Sequence, residues 1–364
     1  MLKVFWLFVV ILIAFLQGFG QGEAGGKQER LLLELDYTGF FKNNEFFADQ
    51  AEGYTLTGNH ITSFLNYRLG DRASLNTGVH FRYYHGMDSL AEVAPFISLH
   101  LKPGQFTDIT LGSYRLNEQY GVSTVLLFDE HRLTDYTGEG VRASIHKIHL
   151  WMDAWIDWEK FILHGDPFRE EFQAGLSGDW TFLDLSSSSL SLISQWLVEH
   201  KGGQIDNSVL PVSTVLNTHH GLVFRHDFPP GFLTYGKVSL GYFTYRDING
   251  NAPWTHEEGN AMQAKLKLNL KQHSLSGGYF EAEEFMAPYG HPLFQTSDLN
   301  NPEKHFQHLE MLHAGYHFQQ QFYEGLSVAF IAQGFYLMRQ ERLHHSMEFR
   351  AILNRSFFLK AFAK

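Results

Sequence analysis

Between Ala261 and Phe280 the chain reads AMQAKLKLNLKQHSLSGGYF, and Met262, Ala264, Leu266, Leu268 and Leu270 alternate with Gln263, Lys265, Lys267, Asn269 and Lys271. A helix would scatter both sets around its axis, whereas a strand puts each set on its own face. The pattern recurs after Glu29. Ala73, Leu75, Val79, Phe81 and Tyr83 share one row against Ser74, Asn76, His80 and Arg82. Leu31, Leu33, Leu35 and Tyr37 stand against Glu34, Asp36 and Thr38. Counted this way, the sequence predicts about sixteen strands, near 30–41, 58–69, 71–84, 92–102, 105–115, 138–146, 148–158, 169–182, 187–199, 217–228, 232–246, 260–271, 273–283, 306–319, 325–338 and 344–362. At 141–158 the apolar row changes from odd to even positions. A one-residue slip reverses every side chain, so a turn or bulge is expected near His146-Lys147. Segment 344–362 keeps one parity and is read as a single closing strand.

The connections alternate as well. Short turns at 69–72, 102–105, 228–231 and 271–274 carry the Gly, Pro and Asp chemistry of tight hairpins. Between them fall longer polar stretches at 42–57, 116–137, 159–168, 200–216, 247–259 and 284–305. This is the order of an up-and-down meander with its long loops at one end.

Alternation alone does not say which face is inside, since a water-soluble sandwich alternates too. Three features decide for a membrane barrel. The apolar rows persist for about five or six alternate residues, the length of a ~10-residue spanning strand. Aromatic residues gather near strand ends (Tyr83, Tyr84, Trp158, Trp180, Tyr242, Tyr316, Phe357), where interfacial girdles lie. The N-terminus resembles an export leader: Lys3, then the thirteen apolar residues Val4–Leu16, then small residues up to a cleavage site near Gly20. That apolar run rises only about 20 Å, short of a ~30 Å hydrocarbon core. The leucines of 262–270 are therefore expected to face lipid and the lysines the barrel's interior. Closure is required, because a free sheet edge in hydrocarbon leaves backbone groups unpaired at several kcal/mol each. The predicted class is all-β: a transmembrane antiparallel up-and-down β-barrel of about 16 strands, with a leader over 1–20, a short segment over 21–29 and the barrel over 30–364.

Composition narrows the chemistry. The 364 residues carry a net charge of -11, which argues against nucleic acid as a partner. There is no cysteine, so thiol nucleophiles and thiolate metal sites are excluded.

In its leader, its sixteen alternating segments, its alternately short and long connections and its aromatic-rich last strand, EFRAILNRSFFLKAF, the chain resembles the bacterial outer-membrane β-barrel superfamily, and within it the porins most. One departure is that Phe362 is followed by Ala363 and Lys364, whereas such barrels usually end on an aromatic residue. The resemblance implies a bacterial outer-membrane location, contact with outer-membrane lipid, passive diffusion of small polar solutes, no cofactor and no catalysis. Porin-like barrels often form homo-oligomers, although no patch in this sequence marks a subunit interface.

Loop 116–137, LNEQYGVSTVLLFDEHRLTDYT, is the candidate constriction. Its apolar VLLF gives it a reason to pack against the inner wall, and Glu118, Asp129, Glu130, Arg132 and Asp135 would set a selective field. The inward row of 148–158 holds Trp151, Asp153, Trp155 and Asp157; aromatic faces among carboxylates suit hydroxyl-rich solutes such as sugars, or else simply pack under the loop. Arg82, Arg142, Lys265, Lys267 and Arg350 complete an electrically mixed lumen, with Glu34 and Asp36 expected near Arg350 across the closing strands. The 21 histidines do not by spacing form a metal site: His313 and His317, about 13 Å apart along a strand, are too far apart to share an ion. Two other functions stay open. One is a closed barrel acting as scaffold, adhesin or secretion partner, with loops 42–57, 200–216 and 284–305 displayed outside. The other is a rim hydrolase built on Asp129-His131 or His219-His220.

Overall fold

The computed structural model describes residues 29–116, 121–135 and 137–362. The leader expected over 1–20 and the candidate Glu118 lie outside these residues. Sixteen strands follow in chain order: β1 (Glu29–Ala48), β2 (Ala51–Leu69), β3 (Ala73–Tyr84), β4 (Glu92–Gly104), β5 (Thr107–Arg115), β6 (Thr137–Lys147), β7 (Leu150–Lys160), β8 (Glu171–Asp184), β9 (Ser188–Lys201), β10 (Ser213–Asp227), β11 (Tyr235–Asp247), β12 (Glu258–Leu270), β13 (His273–Glu283), β14 (His308–Tyr323), β15 (Leu326–Leu337) and β16 (Arg342–Phe362). Each pairs with its neighbours in sequence, and β1 pairs antiparallel with β16, so the barrel is closed. The slip near His146-Lys147 is a hairpin: β6 ends at Lys147 and β7 starts at Leu150. The last strand runs unbroken, as expected.

One expected loop is absent. Residues 42–57 are mostly strand, because β1 and β2 continue up to a turn at Asp49-Gln50. The alternation persists there: Lys42, Asn44 and Phe46 are buried, while Phe41 and Phe47 are 49% and 55% exposed. The polar run KNNE reads as a loop only if apolar residues are demanded on the outer row, and a hairpin that rises beyond the bilayer has no such requirement.

The faces are arranged as the alternation demands. Leu240 and Leu266 are 58% and 46% exposed on the outer surface, whereas Thr62, Asp153 and Ser177 on the inner surface are fully buried. Lys265 and Lys267 share the inner row with the buried Ala261. A water-filled lumen would leave its polar lining wet, so inner polar residues without exposure mean that something fills the barrel at their level.

Two loops do so. The first, after β5, carries a single helical turn, α1 (His131–Thr134); the second, after β13, carries a short 3-10 turn at Pro292–Phe294. Val125 and Leu126 of the first loop and Phe285, Leu293 and Phe294 of the second join Phe243, Phe280, Met311 and Phe335 of the wall in one buried apolar cluster. Each such side chain contributes about 1.5–3 kcal/mol on full burial. The loops also bond to each other: Phe128 N–H donates to Tyr289 O at 2.7 Å, and His291 N–H donates to Thr124 O at 3.0 Å. Residues 285–298 are therefore a plug inside the barrel, and the expectation that segment 284–305 is displayed outside is corrected for them, while Asn300, Asn301 and Glu303–His305 are exposed. The apolar FMAPYGHPLF had no other place to go.

Candidate active site

The first loop is anchored at three points. Gln195 of β9 donates from Nε2 to Gly121 O at 2.6 Å and accepts from Ser123 N–H at 3.0 Å. Glu130 is gripped by Lys42 Nζ at 3.0 Å, by Asn44 Nδ2 at 3.1 Å and by the Tyr54 hydroxyl. Leu133 is driven into the interior at 1% exposure. These anchors hold the turn Phe128–Asp135 against a cavity of about 450 Å³ beneath the long-loop end of the barrel.

Across the turn of α1, positions i and i+4 face each other. His131 Nδ1 lies 3.1 Å from Asp135 Oδ2, and Thr134 Oγ1 donates to the same oxygen at 2.8 Å. Burial pushes the Asp135 carboxyl up, but the bonds from His131 and Thr134 and the charge of Arg82 outweigh it, and the net position is below the usual carboxylate range. Asp135 is thus an anion that orients the imidazole, leaving His131 Nε2 as the ring's other nitrogen. Arg82 lies across the cavity. Its Nη2 pairs with Glu92 at 3.0 Å, while its Nε and Nη1 are buried and meet no acceptor among the described residues. Tyr289 closes one side; burial first, then the charge of Glu159, raises its phenol, so the hydroxyl stays protonated.

The candidate residues fall into separate groups. Asp129, Arg132, Asp135, Arg82 and Asp157 all line the cavity. The dyad differs from the one read in sequence: Asp129 accepts from Arg132 at 2.5 Å, and the partner of His131 is Asp135. Glu130 is a buried latch rather than a lining charge. Arg142 and Asp153 form a buried ion pair, Nη2 to Oδ2 at 2.6 Å. Trp151 packs on Gly121, where a Cβ would meet the indole at 2.8 Å. Trp155 is 2% exposed and donates from Nε1 to Gln173 at 2.9 Å. These indoles pack beneath the loop, and Trp155 has no free face for a sugar. Arg350 Nε lies 2.7 Å from Glu348 of its own strand, and Asp36 pairs with Arg115, in place of the pairing expected across the closing strands. Lys265 and Lys267 lie on the lumen wall and do not line this cavity. His219 is buried, stacked on Phe243 at 4.2 Å and bonded to Gln195 at 2.8 Å, which makes it part of the wall rather than a rim base.

Sequence reasoning did not single out Tyr289 and His291, since their loop was assigned to the outside. Among the described residues, Glu281, His308 and Glu310 bring ligand atoms within 4.8 Å of one another, on the barrel rather than in the cavity.

The comparisons bear on both fold and chemistry. The structure is similar to OprD of Pseudomonas aeruginosa, with a TM-score of 0.52 at 11% identity over 94% of this chain and 99% of that one. It is similar also to a loop-L8 deletion mutant of OmpT, an outer membrane protein of Vibrio cholerae, with a TM-score of 0.51 at 11% identity over 90% of this chain and all of that one. At such identities the likeness concerns the fold alone: a closed barrel of porin-like architecture. No curated protein matches the chain. A family profile described as lipid A 3'-O-deacylase-type matches residues 24–362. That family is one of enzymes, and it overturns the expectation of a barrel without catalysis. By this match over nearly its whole length, the chain belongs to the lipid A 3'-O-deacylase-type family.

Proposed function

We propose that the protein hydrolyses an acyl ester of an outer-leaflet lipid, with His131 as general base and Asp135 as the group that positions it. The observation that carries this reading is the His131–Asp135 contact on a cavity that Arg82 also lines. A carboxylate on Nδ1 fixes the tautomer that leaves Nε2 basic. Nε2 takes a proton from water as the water oxygen bonds to the ester carbonyl carbon. The developing oxyanion meets the Arg82 guanidinium, the stabilisation that contributes most in dry sites. The C–O bond to the alcohol then breaks, and the imidazolium returns its proton to the leaving oxygen. One water and one ester give one acid and one alcohol.

Incubating the purified protein with lipopolysaccharide and weighing the lipid A by mass spectrometry tests this. Loss of one acyl chain is expected with the wild type and not with His131→Gln. Equal release by both proteins would remove His131 from the chemistry.

A second reading, passage of small polar solutes, is favoured by the polar lower lumen. There a cavity of about 480 Å³ opens among Asn269, Ser274, His317 and Asn354, and Lys265 and Lys267 stand on the wall. It requires the plug to move. Planar-bilayer recording addresses it: stepwise conductance that rises when 120–132 are deleted supports it, and a silent deletion variant counts against it.

A further inference from the structure

The wall beside this cavity has a seam. Among the described residues the β4–β5 ladder is the shortest in the barrel, running from Gly104↔Thr107 to Ser98↔Gly112. Above Ser98, residues Glu92–Ile97 of β4 keep their ladder with β3, but among the described residues none of them is paired with β5. In place of a ladder bond, Ile97 N–H donates to the Ser113 hydroxyl at 3.0 Å. Meanwhile β5 continues to Arg115, paired with β6 alone. The strands part at Gly112, whose φ of +98° only glycine adopts without strain. Pro95, a residue confined to sheet edges, sits in the unpaired stretch.

Such an edge is costly in a membrane, because its backbone groups have no water to turn to. What lies behind it is specific. The cavity is lined on one side of the seam by Arg82, Glu92 and Ala94 and on the other by Leu116, Thr137 and Glu139. On the outer face of the same stretch, Val93 and Ile97 are 60% and 55% exposed. The seam thus separates an apolar outer wall from a cavity with an apolar part (Ala94, Leu116, Val122, Leu127) beside the polar His131 and Arg82.

We propose that this seam is a lateral portal through which the acyl chain of an outer-leaflet lipid enters the barrel, bringing its ester linkage to His131 without leaving the bilayer. The choice of occupant rests on the hydrolase reading above. The entry route is tested apart from it. The full-length protein is reconstituted in vesicles with a phospholipid bearing a diazirine in its acyl chain, irradiated, digested and mapped by mass spectrometry. Labelling of the inward-facing Ala94, Leu116 and Val122 is the expected result, reduced at least five-fold in Ala94→Trp, with folding of that variant checked by its heat-modifiable gel mobility. Labelling confined to Val93, Ile97 and other outward residues in the wild type overturns the portal, whether or not the variant folds. Interior labelling that persists in a protein without lipid A deacylation keeps the portal and discards the hydrolase.

Discussion

The Glu130 latch gives the most demanding prediction. Lys42 is only 2% exposed, and its ammonium lies 3.0 Å from Glu130 and 3.6 Å from Glu348, which Arg350 also engages at 2.7 Å. In Glu130→Gln the amide keeps the size of the side chain and its bond to Tyr54, but Lys42 loses its nearer counter-charge. Removing one partner of a buried ion pair costs about 3–5 kcal/mol. Glu348 remains but is shared, so roughly half of that, about 2 kcal/mol, should fall on docking of the loop. At 1.4 kcal/mol per factor of ten, the undocked population rises roughly 30-fold. Hydrogen exchange reads it directly, since local opening sets the exchange rate of protected amides. The amides of Leu126 and Leu127, bonded to Ser123 O, and of Leu133, bonded to Glu130 O at 2.7 Å, should exchange about 30-fold faster while those of β10–β12 stay unchanged. The double variant Lys42→Met/Glu130→Met should be milder than Lys42→Met alone, because no charge is stranded. Exchange within about three-fold of wild type in Glu130→Gln would refute the latch.

Asp135→Asn should lower ester turnover by about 10²–10⁴-fold, the usual worth of a positioned base, while lipid binding measured by the same diazirine labelling stays level; a loss under ten-fold would return Asp135 to a packing role. The second loop should loosen in acid. Burial, then Lys42 and His313, hold His291 well below its ordinary 6.5, so the undocked loop binds the proton first; docking is pH-independent above about 6.5 and weakens by up to about 1.4 kcal/mol per unit below it. Exchange of amides 287–294, corrected for intrinsic rate, should therefore accelerate between pH 7 and 5, and a flat profile would contradict the sign. Arg142→Met removes the bidentate partner of Asp153, a carboxylate with no exposed surface, and should cost about 3–5 kcal/mol, seen as a lower denaturant midpoint in liposomes; an unshifted midpoint would mean that water reaches this carboxylate.

The barrel was readable from the sequence because a two-residue period has one geometric meaning and lipid forces it on every strand. All sixteen segments have counterparts, and 273–283 matches β13 residue for residue. What could not be read is whatever depends on contacts between distant segments. Asp129 is nearer than Asp135 to His131 in sequence, but a helical turn joins i to i+4, and the four residues of α1 are too few to show a helical period. The fate of the apolar part of 284–305 was decided by apolar pockets on β11, β13 and β15 that only the closed barrel creates. The charges of Arg350 and Asp36 were expected to meet because β1 and β16 do; each found a closer partner instead. The seam has no mark in β4 itself except Pro95, since a missing neighbour leaves the residue pattern of a strand intact.

The junction of β1 and β16 joins residue 29 to residue 362 in a ladder that runs from Glu29↔Phe362 to Glu45↔His345. The first hairpin to leave the ribosome must therefore wait for the last, with one flank bare through the whole of synthesis and export. Any chain stopped before that final segment keeps a long sticky border and no way to cover it. Closure is thus a single event, made when β16 meets β1.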